Sequence, residues 1–147
     1  MPMSSHTPST APALETVRRY LSCLHAGDAA GLVGCFAADG RVHSPFLGTM
    51  PAAPFFDRLA QASRRSVITP LDLFASVEPQ TERLHVAAWF RYDWTLEDGR
   101  ELSFTCVDVF AFRQGEPGIA EMHIVYDTHP LREQVGDKYA PDPRPPV

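Results

Sequence analysis

One alternating apolar stretch, residues 101–113, constrains the fold of this 147-residue chain more than any other feature. Its sequence is ELSFTCVDVFAFR, in which every second side chain falls on one face of a strand. That face is apolar except for Asp108. Because the opposite face is apolar too, at Val107, Val109 and Ala111, we expect a central strand that is covered on both sides.

Asp108 is the first candidate for chemistry. A carboxylate that shares its strand face with Phe104 and Phe110 is costly to bury as an anion. We therefore expect it to hold its proton near neutral pH and to donate a hydrogen bond. The alternative is that Asp108 pairs with an arginine or lies near the end of the strand, because structural ion pairs also perturb carboxyl groups.

Helical periodicity is confined to the first half of the chain. The spacing of apolar residues predicts helices over 13–26, 29–37 and 54–63. Tyr20 lies on the apolar stripe of the first helix. The pair Arg64-Arg65 is expected at the C-terminal end of the third, where cations are favoured.

The second half of the chain alternates as strands do. Strands are predicted over 41–46, 67–77, 84–96, 101–113 and 119–126, with a turn over 48–51 and a bulge or sheet edge at Pro70. Helices followed by an antiparallel meander indicate an α+β fold. We expect a cone-shaped barrel, in which a strongly curved antiparallel sheet and three N-terminal helices enclose an apolar pocket.

Length and composition predict one domain. It is expected over residues 13–131, between a flexible arm at 1–12 and a Pro-rich tail at 132–147. The net charge of −5, without a basic run, argues against nucleic acid. The sequence shows neither a membrane-spanning run nor a secretory signal. Three cysteines without a C-x-x-C pair are expected to be reduced, as in a cytoplasmic protein.

No cofactor is predicted. The sequence has no Gly-rich phosphate loop. Its histidines are too scattered to indicate a metal site, because His123 and His129 lack further ligands near them in the sequence.

Four stretches carry a resemblance to a known superfamily: RYLSCLHAGD, LVGCFAADGRVHSPF, DGRELSFTCVDVFAF and IAEMHIVYDTHP. With the order of elements, they make the chain resemble the nuclear transport factor 2-like superfamily, in particular its branch of ketosteroid isomerases and SnoaL-type polyketide cyclases. The resemblance covers residues 13–131. It does not define one reaction, because this fold hosts many.

The resemblance implies an oxyanion hole. In ketosteroid isomerases a tyrosine of the first helix and a protonated aspartic acid of a central strand hold the carbonyl oxygen. Tyr20 and Asp108 match these two motif positions. The family's general base corresponds to Ser44, whose hydroxyl is no base without an activating partner. His43 precedes it but points to the opposite face, so true steroid isomerase activity is not expected.

The resemblance also suggests further site residues. Asp127 is a second candidate for proton transfer, although it is also suited to start the turn before Pro130. His123 is expected on the outer sheet face as a dimer contact rather than as a base. The expected pocket lining is Ser44, Phe56, Phe90, Tyr92, Phe110, Met122 and Tyr126.

Three hypotheses follow. The first is a cofactor-free isomerase, cyclase or dehydratase that acts on a hydrophobic carbonyl compound, with Tyr20 and Asp108 as donors and His43, Asp127 or water moving the proton. The second is a non-catalytic pocket for a small apolar ligand, and the third is a protein-interaction module. We also expect a homodimer joined through an apolar outer face that contains Trp89, Val107, Val109 and Val125.

Overall fold

The computed structural model describes residues 8–129. The predicted Pro-rich tail and most of the predicted N-terminal arm lie outside the described residues. The described elements are, in chain order, α1 (Ala11–Ala26), α2 (Ala29–Gly34), β1 (Phe36–Ser44), β2 (Gly48–Pro51), α3 (Ala52–Ala62), β3 (Ser63–Val77), β4 (Leu84–Leu96), β5 (Glu101–Phe112) and β6 (Ile119–Val125).

The first two helices are joined by a tight turn. Gly27 adopts the left-handed conformation, with φ of 69°, and its N–H donates to the carbonyl of Leu24. A carboxylate oxygen of Asp28 then accepts from the Gly31 N–H at 2.9 Å and caps α2. The second helix ends at Gly34, three residues earlier than predicted, because two glycines in so short a segment weaken it.

The six strands form one mixed sheet with the order β2-β1-β6-β5-β4-β3. The prediction of a wholly antiparallel sheet was wrong, because β1 and β6 pair in parallel, with His43 opposite His123. Residues 48–51, predicted to be a turn, form the strand β2 against β1. Hydrophobic alternation identifies strands but carries no information about the direction of a partner that lies far along the chain.

The predicted cone-shaped barrel with strong curvature was also wrong. The sheet is not strongly curled, and β2 and β3 are its two open edges. Pro70 marks both a register shift and an edge strand, as predicted. Arg64 and Arg65 belong to β3 rather than to the end of a helix.

The core lies between the helices and one face of the sheet. It includes the fully buried side chains of Val17, Val42, Phe56, Phe90 and Phe110. Phe90 and Phe110 lie on the inner faces of β4 and β5, whose side chains alternate between buried and more exposed positions.

The outer face of the sheet is only partly covered. Trp89, Phe74 and Val125 are exposed there by 43%, 54% and 55%. Val107 and Val109 between them are half-buried. The described chain therefore does not supply the predicted cover on both sides of β5.

No described helix is both long and apolar enough to cross a bilayer.

Candidate functional site

A cavity of about 800 Å³ lies between α1, α3 and the inner face of the sheet. Its lining is mostly aromatic and aliphatic. Tyr20 and Asp108 line it, as do Tyr92 and Trp94 of β4 and Tyr126 after β6. This size and composition are typical of pockets that enclose a small organic molecule.

Asp108 is a buried carboxyl without a charged partner. It lies within β5, opposite Ala88 of β4 and Ile124 of β6, and is 3% exposed. Its Oδ1 is buried without a hydrogen-bond partner among the described residues, and no described cation pairs with it. Burial raises the pKa of Asp108 to about 8. The alternative of an arginine pair or a strand-end position was therefore wrong.

Tyr20 reaches the same cavity from α1. It is 2% exposed, and its ring packs edge to face on Phe110 and Phe56, with centroids 5.0 and 6.1 Å away. Burial and, to a smaller extent, the nearby Asp108 raise its pKa well above the usual value. Among the described residues no hydrogen bond joins Tyr20 to Asp108, so both groups remain available to a ligand.

Two other polar aromatic side chains are already satisfied. The Tyr92 hydroxyl and the Ser66 hydroxyl lie 3.1 Å apart. The indole N–H of Trp94 donates to the Ser63 hydroxyl at 2.8 Å. These hydrogen bonds hold the two rings in place, so Tyr92 and Trp94 contribute shape to the cavity more than free donors.

The predicted lining residues occupy two layers. Ser44, Phe90, Tyr92 and Tyr126 line the cavity. Behind this lining, Phe56, Phe110 and Met122 are fully buried in the core.

The Ser44 hydroxyl accepts from two turn N–H groups. The donors are the amides of Phe46 and Leu47, at 3.3 and 3.4 Å. Ser44 therefore stabilises the turn before β2.

The two predicted proton carriers lie outside the cavity. His43 is on the outer face, where its ring contacts Thr49 and Glu121. Asp127 is exposed, and its carboxylate accepts from the His129 N–H at 3.0 Å, which is the turn role left open by the sequence. Neither side chain lines the space in front of Asp108.

Sequence reasoning missed several lining residues. Phe104 and Cys106 share the strand face of Asp108, and that alternation was sufficient to find them. Arg58 of α3 and Arg100 of the β4–β5 turn were not detectable, because only the tertiary packing of these two segments brings them to the cavity. Burial raises the pKa of the Cys106 thiol, which disfavours its nucleophilic form.

The chain belongs to the SnoaL-like domain family, whose model matches residues 17–122. The matched residues include most of the helices and strands that surround the cavity. A comparison with the curated proteins gave no match.

Solved structures support the same fold. One is an NTF2-like protein of unknown function from Burkholderia pseudomallei, 23% identical, with a TM-score of 0.63 over 84% of this chain and 97% of that chain. A Mycobacterium tuberculosis protein in complex with estradiol-17β-hemisuccinate is 20% identical, with a TM-score of 0.64 over 79% and 94%. A type 2 hexachlorocyclohexane dehydrochlorinase is 9% identical, with a TM-score of 0.66 over 80% and 84%. At these identities the likeness shows the fold alone.

Proposed function

We propose that this chain is an enzyme that acts on a hydrophobic carbonyl compound, as an isomerase, cyclase or dehydratase. The observation that carries the proposal is the unpartnered Oδ1 of Asp108, buried beside an apolar cavity that Tyr20 also lines. A neutral carboxyl group is a hydrogen-bond donor, and it needs an acceptor when it is buried. A ligand carbonyl oxygen is such an acceptor.

The proposed chemistry is stabilisation of a developing oxyanion. Asp108, whose pKa is raised to about 8 by burial, donates a hydrogen bond to the carbonyl oxygen. The Tyr20 hydroxyl is the second donor. Such donors act strongly where water is excluded, because they are already oriented toward the charge that forms in the transition state. The aromatic lining limits the access of water to the ligand.

The proposed proton carrier is water. His43 and Asp127 lie away from the cavity, so we do not retain them as catalytic candidates. Water is the remaining carrier among the three that the sequence suggested. Water would have to enter the cavity from its solvent-exposed side, where charged side chains such as Arg58 and Glu97 line it.

The second candidate is a binding pocket without catalysis. It is favoured by the location of His43 and Asp127 outside the cavity. In the described chain no other histidine lines the cavity to act as a base in their place. The M. tuberculosis neighbour in complex with estradiol-17β-hemisuccinate supports this candidate, because a protein of this fold binds a steroid derivative. In a binding pocket without catalysis, Asp108 would select ligands with a carbonyl or phenolic oxygen.

One pair of measurements separates the two candidates. A naphthol is a stable mimic of an enolate, and we expect it to bind wild type more tightly than Asp108→Ala, as measured by fluorescence titration. Incorporation of deuterium from D₂O next to the carbonyl of hydrophobic ketones, followed by NMR, then reports catalysis. Binding with exchange supports the enzyme, whereas binding without exchange across the ketones tested supports the pocket.

Difference infrared spectroscopy tests the protonation state of Asp108 directly. The band of a protonated carboxyl group should disappear with a midpoint near pH 8 and be absent from Asp108→Asn. Titration in the range of an exposed aspartate would contradict both candidates, because each requires a neutral donor.

We also propose that the chain is a homodimer joined through its outer sheet face. Trp89, Val107 and Val125 are register neighbours on β4, β5 and β6, so they form one continuous apolar row. Exposed apolar surface of this kind is typical of an interaction site. A second copy of the same chain is the occupant that we expect.

A further inference from the structure

A second group of chemically active side chains lies on the outer face of the sheet. The parallel pairing of β1 and β6 places His43 opposite His123 and Arg41 opposite Glu121. The two imidazole rings are stacked, with centroids 4.2 Å apart and planes 6° from parallel. One potential ligand atom from each of His43, Glu121 and His123 lies within 4.8 Å of the others.

We propose that His43, Glu121 and His123 form a binding site for a divalent transition-metal ion of the zinc class. Two imidazoles and one carboxylate are a ligand set that zinc accepts, with water in the fourth position. Imidazole nitrogen suits zinc and its neighbours in the first transition row better than magnesium or calcium, which prefer oxygen. The site is on the opposite side of the sheet from the Asp108 cavity, so it does not depend on the proposed activity.

The surroundings of His43 favour this role. Its Nδ1 lies 2.9 Å from the Thr49 hydroxyl and its Nε2 lies 3.1 Å from Oε1 of Glu121. When Nδ1–H donates to Thr49, the lone pair of Nε2 is free for a metal. A metal-bound histidine commonly donates its other N–H to such a partner, which fixes the ring. The metal would bind between Nε2 of His43 and Oε1 of Glu121, which already face each other.

The spacing requires the ring of His123 to turn, because stacked rings do not point their nitrogen lone pairs at one ion. Neighbouring ligand atoms around a tetrahedral zinc ion are about 3.3 Å apart, given bonds of about 2.0–2.1 Å. Nε2 of His43 and Oε1 of Glu121 lie 3.1 Å apart, which is close to this separation. His123 is exposed and has no hydrogen-bond partner among the described residues, so only its stacking on His43 must be given up for its ring to turn toward the ion.

Other charged and apolar groups border the cluster. Arg83 is close enough to act on Glu121, and its positive charge should weaken metal binding. His85 lies near His123. Val109 of β5 lies opposite His123, so the cluster also borders the proposed dimer face. We expect one ion per chain.

The test is calorimetric titration of the untagged full-length chain with Zn²⁺. Co²⁺ absorption provides a second readout, because tetrahedral sites give strong visible bands. Wild type should bind one ion per chain. His43→Asn, His123→Asn and Glu121→Gln should each weaken binding by at least about tenfold. Thr49→Val should weaken it by about 10- to 100-fold, the usual effect of losing a partner of a metal-bound histidine.

His129→Asn is the matched control. His129 is exposed and lies outside the cluster, so this variant should bind Zn²⁺ like wild type. Circular dichroism of the metal-free proteins checks folding. If a histidine variant does not fold, Glu121→Gln and Thr49→Val carry the test. Absence of saturable binding by wild type, or equal affinity in the folded cluster variants, would overturn the proposal.

Discussion

The ring of Tyr20 meets the ring of Phe110 edge to face, with centroids 5.0 Å apart and planes at 67°. Phe110 follows Asp108 by two residues and shares its face of β5. This contact fixes α1 against the strand and brings a phenol from one element beside a carboxyl group from the other. The candidate site thus depends on a packing contact in the core.

The first prediction concerns the two donors. Asp108→Asn should retain naphthol binding better than Asp108→Ala, because an amide still donates a hydrogen bond. In a catalytic protein, Tyr20→Phe should lower turnover by about 10²- to 10³-fold, the usual effect of removing one donor to an oxyanion, with a smaller effect on binding. Turnover and fluorescence titration measure the two effects.

Tyr92→Phe is the control for the tyrosine. It makes the same chemical change in the same cavity, but the Tyr92 hydroxyl is already engaged with Ser66. Its turnover should stay close to that of wild type. Equal losses in the two Tyr→Phe variants would show that Tyr20 has no special role as a donor.

The second prediction concerns stability and pH. Burial raises the pKa of Asp108 to about 8, whereas the pKa of an aspartate in an unfolded chain is about 3.9. Between these values the folded chain holds a proton that the unfolded chain has lost. The contribution of Asp108 is therefore most favourable below about pH 4, and it declines by up to about 1.4 kcal/mol per pH unit until about pH 8.

Urea unfolding of wild type and Asp108→Asn at pH 5, 6, 7 and 8 measures this decline. The asparagine variant does not titrate, so its stability relative to wild type should increase over this range. Asp57→Asn is the matched control, because Asp57 is exposed on α3. A constant difference between Asp108→Asn and wild type would contradict the raised pKa.

The third prediction concerns the core beneath Tyr20. Phe56 is 1% exposed and contacts the rings of Tyr20, Phe36 and Phe55. Phe56→Ala should lower the free energy of unfolding by about 3–5 kcal/mol, because it leaves a cavity in a packed aromatic cluster. Phe74→Ala, at a side chain that is 54% exposed, should cost about 1 kcal/mol or less. Denaturant unfolding measures both, and similar costs would mean that the aromatic cluster is not tightly packed.

The fourth prediction concerns assembly. Light scattering at micromolar concentration should give the mass of a dimer for wild type. Val125→Glu places a charge in the exposed apolar row and should shift the protein toward monomer. Ala30→Glu adds the same charge at an exposed position of α2 and should remain dimeric. A monomeric wild-type protein would contradict the proposed interface.

The second half of the fold was predictable where its signals were local. The alternation over 84–96 gives β4 with both of its ends, and β5 ends one residue earlier than predicted. The Asp-Gly turn between them favours a hairpin, and those strands are antiparallel neighbours. Asp108 stood out because one polar residue interrupts an apolar face, and resemblance to a known motif paired it with Tyr20.

The amino-acid sequence by itself determined the helix and strand periods, the inward faces of β4 and β5, and the place of Asp108 among apolar side chains. Only the tertiary structure decided that β1 runs parallel to β6, that the sheet is open, and that His43 lies beside Glu121 and His123. The physical reason is the distance along the chain over which each feature is determined. Periodicity reflects which side of an element is buried, whereas the direction and register of distant strands depend on how the whole chain packs.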